Sequence, residues 1–212
     1  MKYASDIRLN ETRIFQGEIG PGETIAQFYA DDAAFLEALT IYVAGGLCSG
    51  QSVIVIATLE HLRALRERLI WARIDLASAI IEDRYITLSA ETALSAFLVG
   101  GRLDEDLFRR LASHLLKRAA AGDRPVRAFG EMVALLWARG LAAATLRLEK
   151  LWSQFCEENK LSLYCAYPSA GFPEAASRSL AEICAAHSRV IGLAAAQTAA
   201  TDDSPAQTQP AD

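Results

Sequence analysis

The chain is organised around Arg127-Ala128-Phe129-Gly130-Glu131-Met132-Val133-Ala134-Leu135-Leu136-Trp137, a stretch in which a β-like run passes directly into a helical pattern. Val126 to Phe129 are predicted as a strand, and helix is predicted from Glu131 to Glu158 with a break at Gly140. In sheets flanked by helices, ligands bind where strands end and helices begin. Glu131 stands at such a junction, so it is the first residue to test for a role in a site.

Two interpretations of Glu131 stay open. Its carboxylate either faces a ligand pocket or serves its own helix, where an acidic residue of the first turn interacts with exposed N–H groups and the helix dipole. The two roles differ in cost. Loss of a dipole interaction costs roughly 0.3–1 kcal/mol of stability, whereas a pocket carboxylate is expected to be removable with little loss of folding.

Strand-like and helical segments alternate along the rest of the chain. Ser52 to Ala57 is β-branched and apolar without alternation, as expected of a strand buried on both faces of a parallel sheet. This alternation predicts an α/β fold with a mostly parallel central sheet flanked by helices on both faces. The other predicted strands are Thr24–Tyr29, Tyr85–Leu88 and Leu161–Tyr167, and the last predicted helix runs from Glu174 to about Leu193.

Composition gives the domain boundaries. Hydrophobic residues make up 52% of the 212-residue chain, so a substantial core can form. Residues 1–22 are a turn-rich lead-in, and residues 23–193 are predicted to form one folded domain. Residues 194–212 consist largely of Ala, Thr, Gln, Asp, Ser and Pro, so they are predicted to be a disordered tail.

Several classes of protein are disfavoured. The net charge is −5 and no dense run of Lys or Arg is present, which argues against direct nucleic-acid binding. No stretch approaches the roughly 20 apolar residues of a membrane span, and no secretory signal precedes the domain. The four cysteines contain no CxxC pair. A cytoplasmic protein with reduced thiols is therefore expected.

Familiar catalytic and cofactor motifs are also missing. The loop after the strongest strand, Thr58-Leu59-Glu60-His61, has neither the glycines nor the lysine of a phosphate-binding loop. His61, His114 and His187 lie in separate segments without metal-binding spacing, so structural or surface roles are favoured. Cys165 is interpreted as a buried packing residue, because no base or orienting partner is evident nearby in the sequence. No metal site and no cofactor are predicted.

The remaining indication of a ligand site is the position of certain residues at the ends of the predicted strands. Side chains at or just beyond the ends of parallel strands converge along one edge, where a cleft is expected. This argument predicts a pocket for a small molecule whose identity the sequence does not specify. Its candidate residues are Gln27, Tyr29, Thr58, Glu131 and Tyr167.

The helical region from Glu131 to Glu158 carries more large apolar residues than one packed face clearly requires. A homodimer could bury the excess, or all of these residues could lie in the core of one chain. The two interpretations are equally open. The residues concerned are Trp137, Leu148, Leu151, Trp152 and Phe155.

Four segments stand out when they are taken together and in order: Ala26–Asp32, Gly50–Thr58, Arg127–Trp137 with Leu148–Trp152, and Leu163–Pro168. They resemble a known family, the MEDS domain, which is named for methanogens, methylotrophs and the sensory domain of the dichloromethane-responsive repressor DcmR. The resemblance spans about Thr24 to Val190. It implies a fold of the RecA and KaiC class of P-loop proteins with a degenerate nucleotide loop.

The same resemblance implies a sensory or regulatory input domain of prokaryotic signalling. One departure is Thr24, because many relatives have a histidine there and any role of that histidine cannot be transferred. The expected function is a non-catalytic, ligand-responsive domain that acts through a partner such as a histidine kinase or a regulator. An enzyme or weak nucleotide hydrolase that uses the same cleft is the alternative.

Overall fold

The computed structural model describes residues 19–169 and 177–192, with the backbone alone for residues 177–179. Within these residues, strands and helices alternate around a six-stranded sheet. The strands are β1 (Thr24–Tyr29), β2 (Ser52–Ala57), β3 (Tyr85–Ser89), β4 (Leu98–Val99), β5 (Arg102–Leu103), β6 (Val126–Gly130), β7 (Ser162–Pro168) and β8 (Arg189–Ile191). The helices are α1 (Asp32–Cys48), α2 (Leu59–Trp71), α3 (Leu76–Ile81), α4 (Ala90–Phe97), α5 (Glu105–Ala119), α6 (Met132–Ala138), α7 (Ala142–Asn159) and α8 (Ser177–Ala185).

The central sheet has the strand order β3-β2-β6-β7-β1-β8, and all of its pairings are parallel. Strands β4 and β5 form a separate antiparallel pair. Because the six central strands run in one direction, their carboxyl ends lie at the same edge of the sheet. The α/β fold with a parallel sheet is thus confirmed, and the ends of β1, β2, β6 and β7 are placed along one edge.

Helices cover both faces of the sheet. One face carries α1, α2 and α3 and receives alternate strand residues such as Tyr29, Ala57 and Tyr164. The other face carries α4 to α8 and receives the intervening residues, among them Cys165 and Tyr167. We call these the α1–α3 face and the α4–α8 face. Each face has its own hydrophobic core, so a side chain's position along its strand decides which core it enters.

The predicted break in the long helical region is confirmed. Helix α6 ends at Ala138, and Gly140 adopts φ 72° before α7 begins. This left-handed conformation is accessible to glycine without steric cost. The break separates a short helix that continues from β6 from a long helix that crosses the α4–α8 face.

The predicted last helix is corrected at its carboxyl end. It ends at Ala185 rather than near Leu193, and Arg189–Ile191 forms β8 beside β1. Ser188 makes the transition, because its N–H donates to Thr24 Oγ1 and its Oγ donates to Thr24 O. Residues 174–176 of that predicted helix, residues 1–18 of the lead-in and the tail from 194 to 212 lie outside the described residues.

The large apolar residues of the α7 region lie inside the chain's own core. Leu148, Leu151, Trp152 and Phe155 are each no more than 4% exposed, and Trp137 packs partly buried against the same core. The intramolecular interpretation is therefore confirmed for these side chains. Homodimerisation stays a prediction, without these residues to support it.

The helices within the described ranges are all too short or too polar to cross a lipid bilayer.

Candidate functional site

Glu131 occupies the junction between β6 and α6, and its carboxylate bridges to another helix. The residue is 5% exposed and makes no side-chain cap on its own helix. Its backbone N–H donates to Ile56 O at 2.9 Å, which fixes the junction against β2. Glu131 Oε2 accepts the N–H of Thr58 at 2.9 Å, and Oε1 lies 2.8 Å from His61 Nδ1. The carboxylate therefore joins the start of α6 to the start of α2.

The first turn of α2 provides the groups that contact this carboxylate. Thr58 is the N-cap, and its hydroxyl accepts the N–H of His61 at 3.3 Å. Capping of this kind satisfies one of the otherwise free N–H groups of a helix's first turn. It also holds the Thr58 N–H and the imidazole of His61 on the side of the helix that faces Glu131. A negative charge is favoured here because the helix N-terminus carries partial positive charge.

The contact between His61 and Glu131 changes the acid–base behaviour of the imidazole. The hydrogen bond to Glu131 raises the pKa of His61 above its ordinary value, and burial opposes this only in part. A protonated His61 donates from Nδ1 to the carboxylate. The pair consequently couples a proton-binding group to the junction of two strands and two helices.

We expect the free energy of unfolding to depend on the protonation of His61. Because the folded-state pKa of His61 is raised, its contribution is fully present below the unfolded-state pKa of about 6.5 and is lost as the pH rises through the folded-state value. Urea unfolding at steps from about pH 5.5 to 8.5 should show a wild-type advantage over His61→Asn that shrinks as the pH rises. Curves that stay parallel across this range would contradict the assignment.

Aromatic rings form a wall beside the pair. Tyr29 stacks on Phe35 with ring centroids 4.5 Å apart, and Phe35 meets the edge of His61 at 5.1 Å. Burial raises the pKa of Tyr29, and the charge of Glu131 raises it further. The phenol therefore stays protonated at neutral pH and offers an O–H donor at the end of β1.

The structure brings four of the five predicted residues to one face. Thr58 and Glu131 are in contact, and Glu131 is close enough to affect the pKa of Tyr29. Gln27 lies two residues earlier on β1, is fully buried, and accepts a hydrogen bond from Tyr164 Oη through its Oε1. Its Nε2 has no hydrogen-bond partner among the described residues. Ligand binding by these side chains stays a prediction.

Tyr167 lies apart from the other candidates. It enters the α4–α8 face and stacks on Phe28 with ring centroids 5.3 Å apart. Successive strand residues point to opposite faces, so a residue at the correct edge can still lie on the wrong side. Sequence reasoning missed His61 as a partner of Glu131, although its position three residues after the cap Thr58 was a usable signal.

A second polar cluster is buried in the α4–α8 face. Glu149 of α7, Cys165 of β7 and His187, which follows α8, each offer a potential ligand atom, and these atoms lie within 4.8 Å of one another. Burial raises the pKa of Glu149 to about 8 and lowers that of His187. Burial, followed by the charge of Glu149, raises the pKa of the Cys165 thiol. The sequence indicated a packing role for Cys165 and did not reveal these neighbours.

A surface groove of about 210 Å³ lies elsewhere on the molecule. It sits by residues that precede β2 and β3, at the amino ends of the strands, whereas Glu131 lies at their carboxyl ends. The groove is therefore separate from the Glu131 site. Its lining residues are Leu47, Cys48, Arg73, Ile74, Asp75, Ala79 and Arg84.

Comparison with protein families gives a match for the chain. Residues 25–188 match the family model described as MEDS, the methanogen/methylotroph, DcmR sensory domain. The matched segment contains both the Glu131 junction and the cluster around Glu149. No curated protein sequence matches the chain. Because the family model covers most of its length, the chain belongs to the MEDS family of sensory domains.

Proposed function

We propose that this protein is a non-catalytic, ligand-responsive regulatory domain of a bacterial signal-transduction or transcription-control system, and that it acts through a partner protein. The observation that carries the proposal is the buried carboxylate of Glu131, held by the Thr58 N–H and His61 between β6 and α2. Membership of a sensory family supports it. The site holds structural elements together through groups that a ligand can also engage.

The chemistry of the site favours a ligand other than a polyphosphate. We propose that the fold is related to the RecA and KaiC class and that its nucleotide loop is degenerate. Glu60 is exposed in the first turn of α2, directly after β2, and Glu131 is buried at the β6–α6 junction that contacts the start of this helix. Two carboxylates at this position would repel phosphate. A neutral or cationic molecule that hydrogen-bonds to Glu131 or Tyr29 fits the chemistry of these groups.

A signal can arise from competition for Glu131. A ligand that binds the carboxylate or His61 must alter or strengthen the bridge between α2 and the β6–α6 junction. A ligand shifts a conformational equilibrium only by its difference in affinity for the two states. Helix α6 packs through Met132 and Val133 into the α4–α8 face. A movement of Glu131 would therefore change the packing of α2 on one face of the sheet and of α6 on the other.

The contact between His61 and Glu131 is also compatible with the alternative function, an enzyme or weak nucleotide hydrolase. A carboxylate paired with an imidazole can transfer protons in an enzyme. Purified protein incubated with ATP and Mg²⁺ separates the two functions. We expect turnover no higher than that of Glu131→Gln. Turnover that depends on Glu131 would overturn the non-catalytic assignment and favour a nucleotide hydrolase.

Ligand response is tested by thermal unfolding against a panel of small organic amines, alcohols and amides, with ATP as a comparison. Binding to the native state raises the unfolding temperature. We expect at least one neutral or cationic compound to stabilise the wild type and to lose its effect in Glu131→Gln. The matched control is Glu60→Gln, which changes an exposed carboxylate on α2. Equal stabilisation of all three proteins would place the binding elsewhere.

Partner contact is supported by large apolar side chains on the surface of α2 and α3. Trp71 is 87% exposed and Ile81 is 85% exposed. Aromatic residues are enriched in protein interfaces. Light scattering at micromolar concentration, with Trp71→Ala for comparison, distinguishes a homodimer from a monomer that awaits a different partner. A monomer would leave the partner proposal standing and count against the dimer.

A further inference from the structure

The cluster of Glu149, Cys165 and His187 lies outside the Glu131 site, and the proposed ligand response does not account for it. The three residues come from α7, β7 and the segment between α8 and β8, and all are buried. His187 Nε2 lies 3.6 Å from Glu149 Oε2, which is too long for a good hydrogen bond. Nitrogen and oxygen ligands about 2.0–2.2 Å from a tetrahedral zinc ion are about 3.3–3.6 Å apart. The spacing of nitrogen and oxygen therefore suits two ligands of one ion.

The orientation of His187 is fixed by the backbone. Its Nδ1 lies 2.8 Å from the carbonyl oxygen of Ile183. A carbonyl oxygen only accepts, so Nδ1 carries the proton and Nε2 keeps a lone pair. Metal-binding histidines commonly donate their other ring N–H to a carbonyl or carboxylate in this way. The lone pair of Nε2 is consequently presented near Glu149.

Glu149 supplies an independent observation. The residue is 3% exposed, and its Oε1 has no hydrogen-bond partner in the described part of the chain. A buried carboxyl oxygen without a partner is costly, and such groups call for an explanation such as an ion. An ion bound at this oxygen would supply the missing partner.

We propose that Glu149, Cys165 and His187 bind a divalent transition-metal ion of the zinc class. Carboxylate, thiolate and neutral imidazole are all zinc ligands, and their combined charge of about −2 balances the ion. The thiolate favours zinc or cobalt over magnesium or calcium, which prefer oxygen. Three protein ligands leave a fourth position for water or a small ligand. Closing the 4.8 Å cluster around an ion requires a movement of about 1 Å.

A nucleophilic triad fits the same residues less well. In such a triad the orienting carboxylate binds the histidine nitrogen that is remote from the nucleophile. Here that nitrogen is bound to Ile183 O, while Glu149 lies on the Nε2 side. The three groups converge on a point rather than forming a relay.

The metal site is independent of the proposed ligand site. It lies on the α4–α8 face, whereas Glu131 contacts α2 on the α1–α3 face. Ion binding would join the segment that carries β8 to α7 and β7. Either site can fail its test without affecting the other.

Cobalt is the probe for this site, because a Co²⁺–thiolate bond has a charge-transfer absorption in the near ultraviolet. The full chain is treated with a chelator, titrated with Co²⁺, and then with Zn²⁺ in competition. We expect one ion per chain with a thiolate band. Cys165→Ala should lose the band, and Glu149→Gln should weaken binding by more than the roughly 10–100-fold that loss of an outer-shell partner costs.

The matched control is Cys156→Ala, which removes another buried thiol of the same core and should retain the band. Circular dichroism checks that each variant folds. X-ray absorption of the zinc-loaded wild type gives a readout that needs no variant, with one sulfur expected at about 2.3 Å. Absence of binding, a site without sulfur, or surface binding that is equal in wild type and Cys165→Ala would each overturn the proposal.

Discussion

Replacing Trp152 by alanine is expected to lower the free energy of unfolding by about 3–5 kcal/mol, the range typical of large aromatic residues removed from cores. Trp152 is 4% exposed. Its ring meets Phe108 edge to face at 5.0 Å and Phe155 at 6.1 Å. The substitution therefore removes buried area and two aromatic contacts, and it leaves a cavity between α5 and α7. Urea unfolding at neutral pH measures the change.

Trp71→Ala is the matched control, because it removes the same side chain from a position that is 87% exposed. Its effect should stay within about 0.5 kcal/mol of the wild type, as for most surface substitutions. A loss for Trp152→Ala that is as small as the loss for this control would contradict the core position of Trp152. It would also reopen the intermolecular role for the α7 region.

Glu131→Ala is expected to lower the free energy of unfolding by about 3 kcal/mol. The variant loses two interactions of a buried carboxylate, with the Thr58 N–H at 2.9 Å and with His61 at 2.8 Å. Hydrogen bonds to charged groups contribute roughly 1.5–3 kcal/mol each, and the partner left behind must also be satisfied. Neither interpretation of Glu131 from sequence anticipated this cost, because both considered only its own helix or a ligand. The free energy of unfolding is again the measured quantity.

Glu60→Ala provides the comparison, because it removes an exposed carboxylate from the first turn of α2. A helix-dipole contribution of roughly 0.3–1 kcal/mol is all that it should lose. A double-mutant cycle of Glu131→Ala with His61→Ala isolates the pair, and its coupling energy should be at least about 0.5 kcal/mol. Additive effects within error would mean that the two side chains do not interact in solution.

The fold was largely predictable because its strongest signals are local. Ser52–Ala57 is a short, largely apolar and β-branched run, which is typical of a strand buried on both faces. Strand β8 was missed for the opposite reason. Arg189–Ile191 has only three residues, and its conformation depends on pairing with β1 rather than on its own pattern. The pair β4–β5 is shorter still.

The same distinction between local signals and long-range contacts separates the site residues that could be predicted from those that could not. The rule that parallel strands end at one edge was enough to place Glu131 near Thr58 and Tyr29. It could not assign Tyr167 to a face, because a shift of one residue along a strand reverses the side chain. Nor could it join Glu149 to His187, which are far apart in sequence and meet only through tertiary packing. Contacts of that range leave no local periodicity to detect.

The place of β1 in the sheet has a consequence for the order of assembly. β1 is flanked by β7 and β8, both of which come much later in the chain. Thr24 and Ser188, whose backbone and hydroxyl groups bond to each other, are 164 residues apart. During synthesis, the first strand of the sheet must therefore wait for most of the chain before it gains either neighbour. Contacts of such long range slow folding and leave an unpaired apolar strand open to aggregation. We expect a nascent chain halted before β7 to aggregate, because β1 then lacks both of its neighbours.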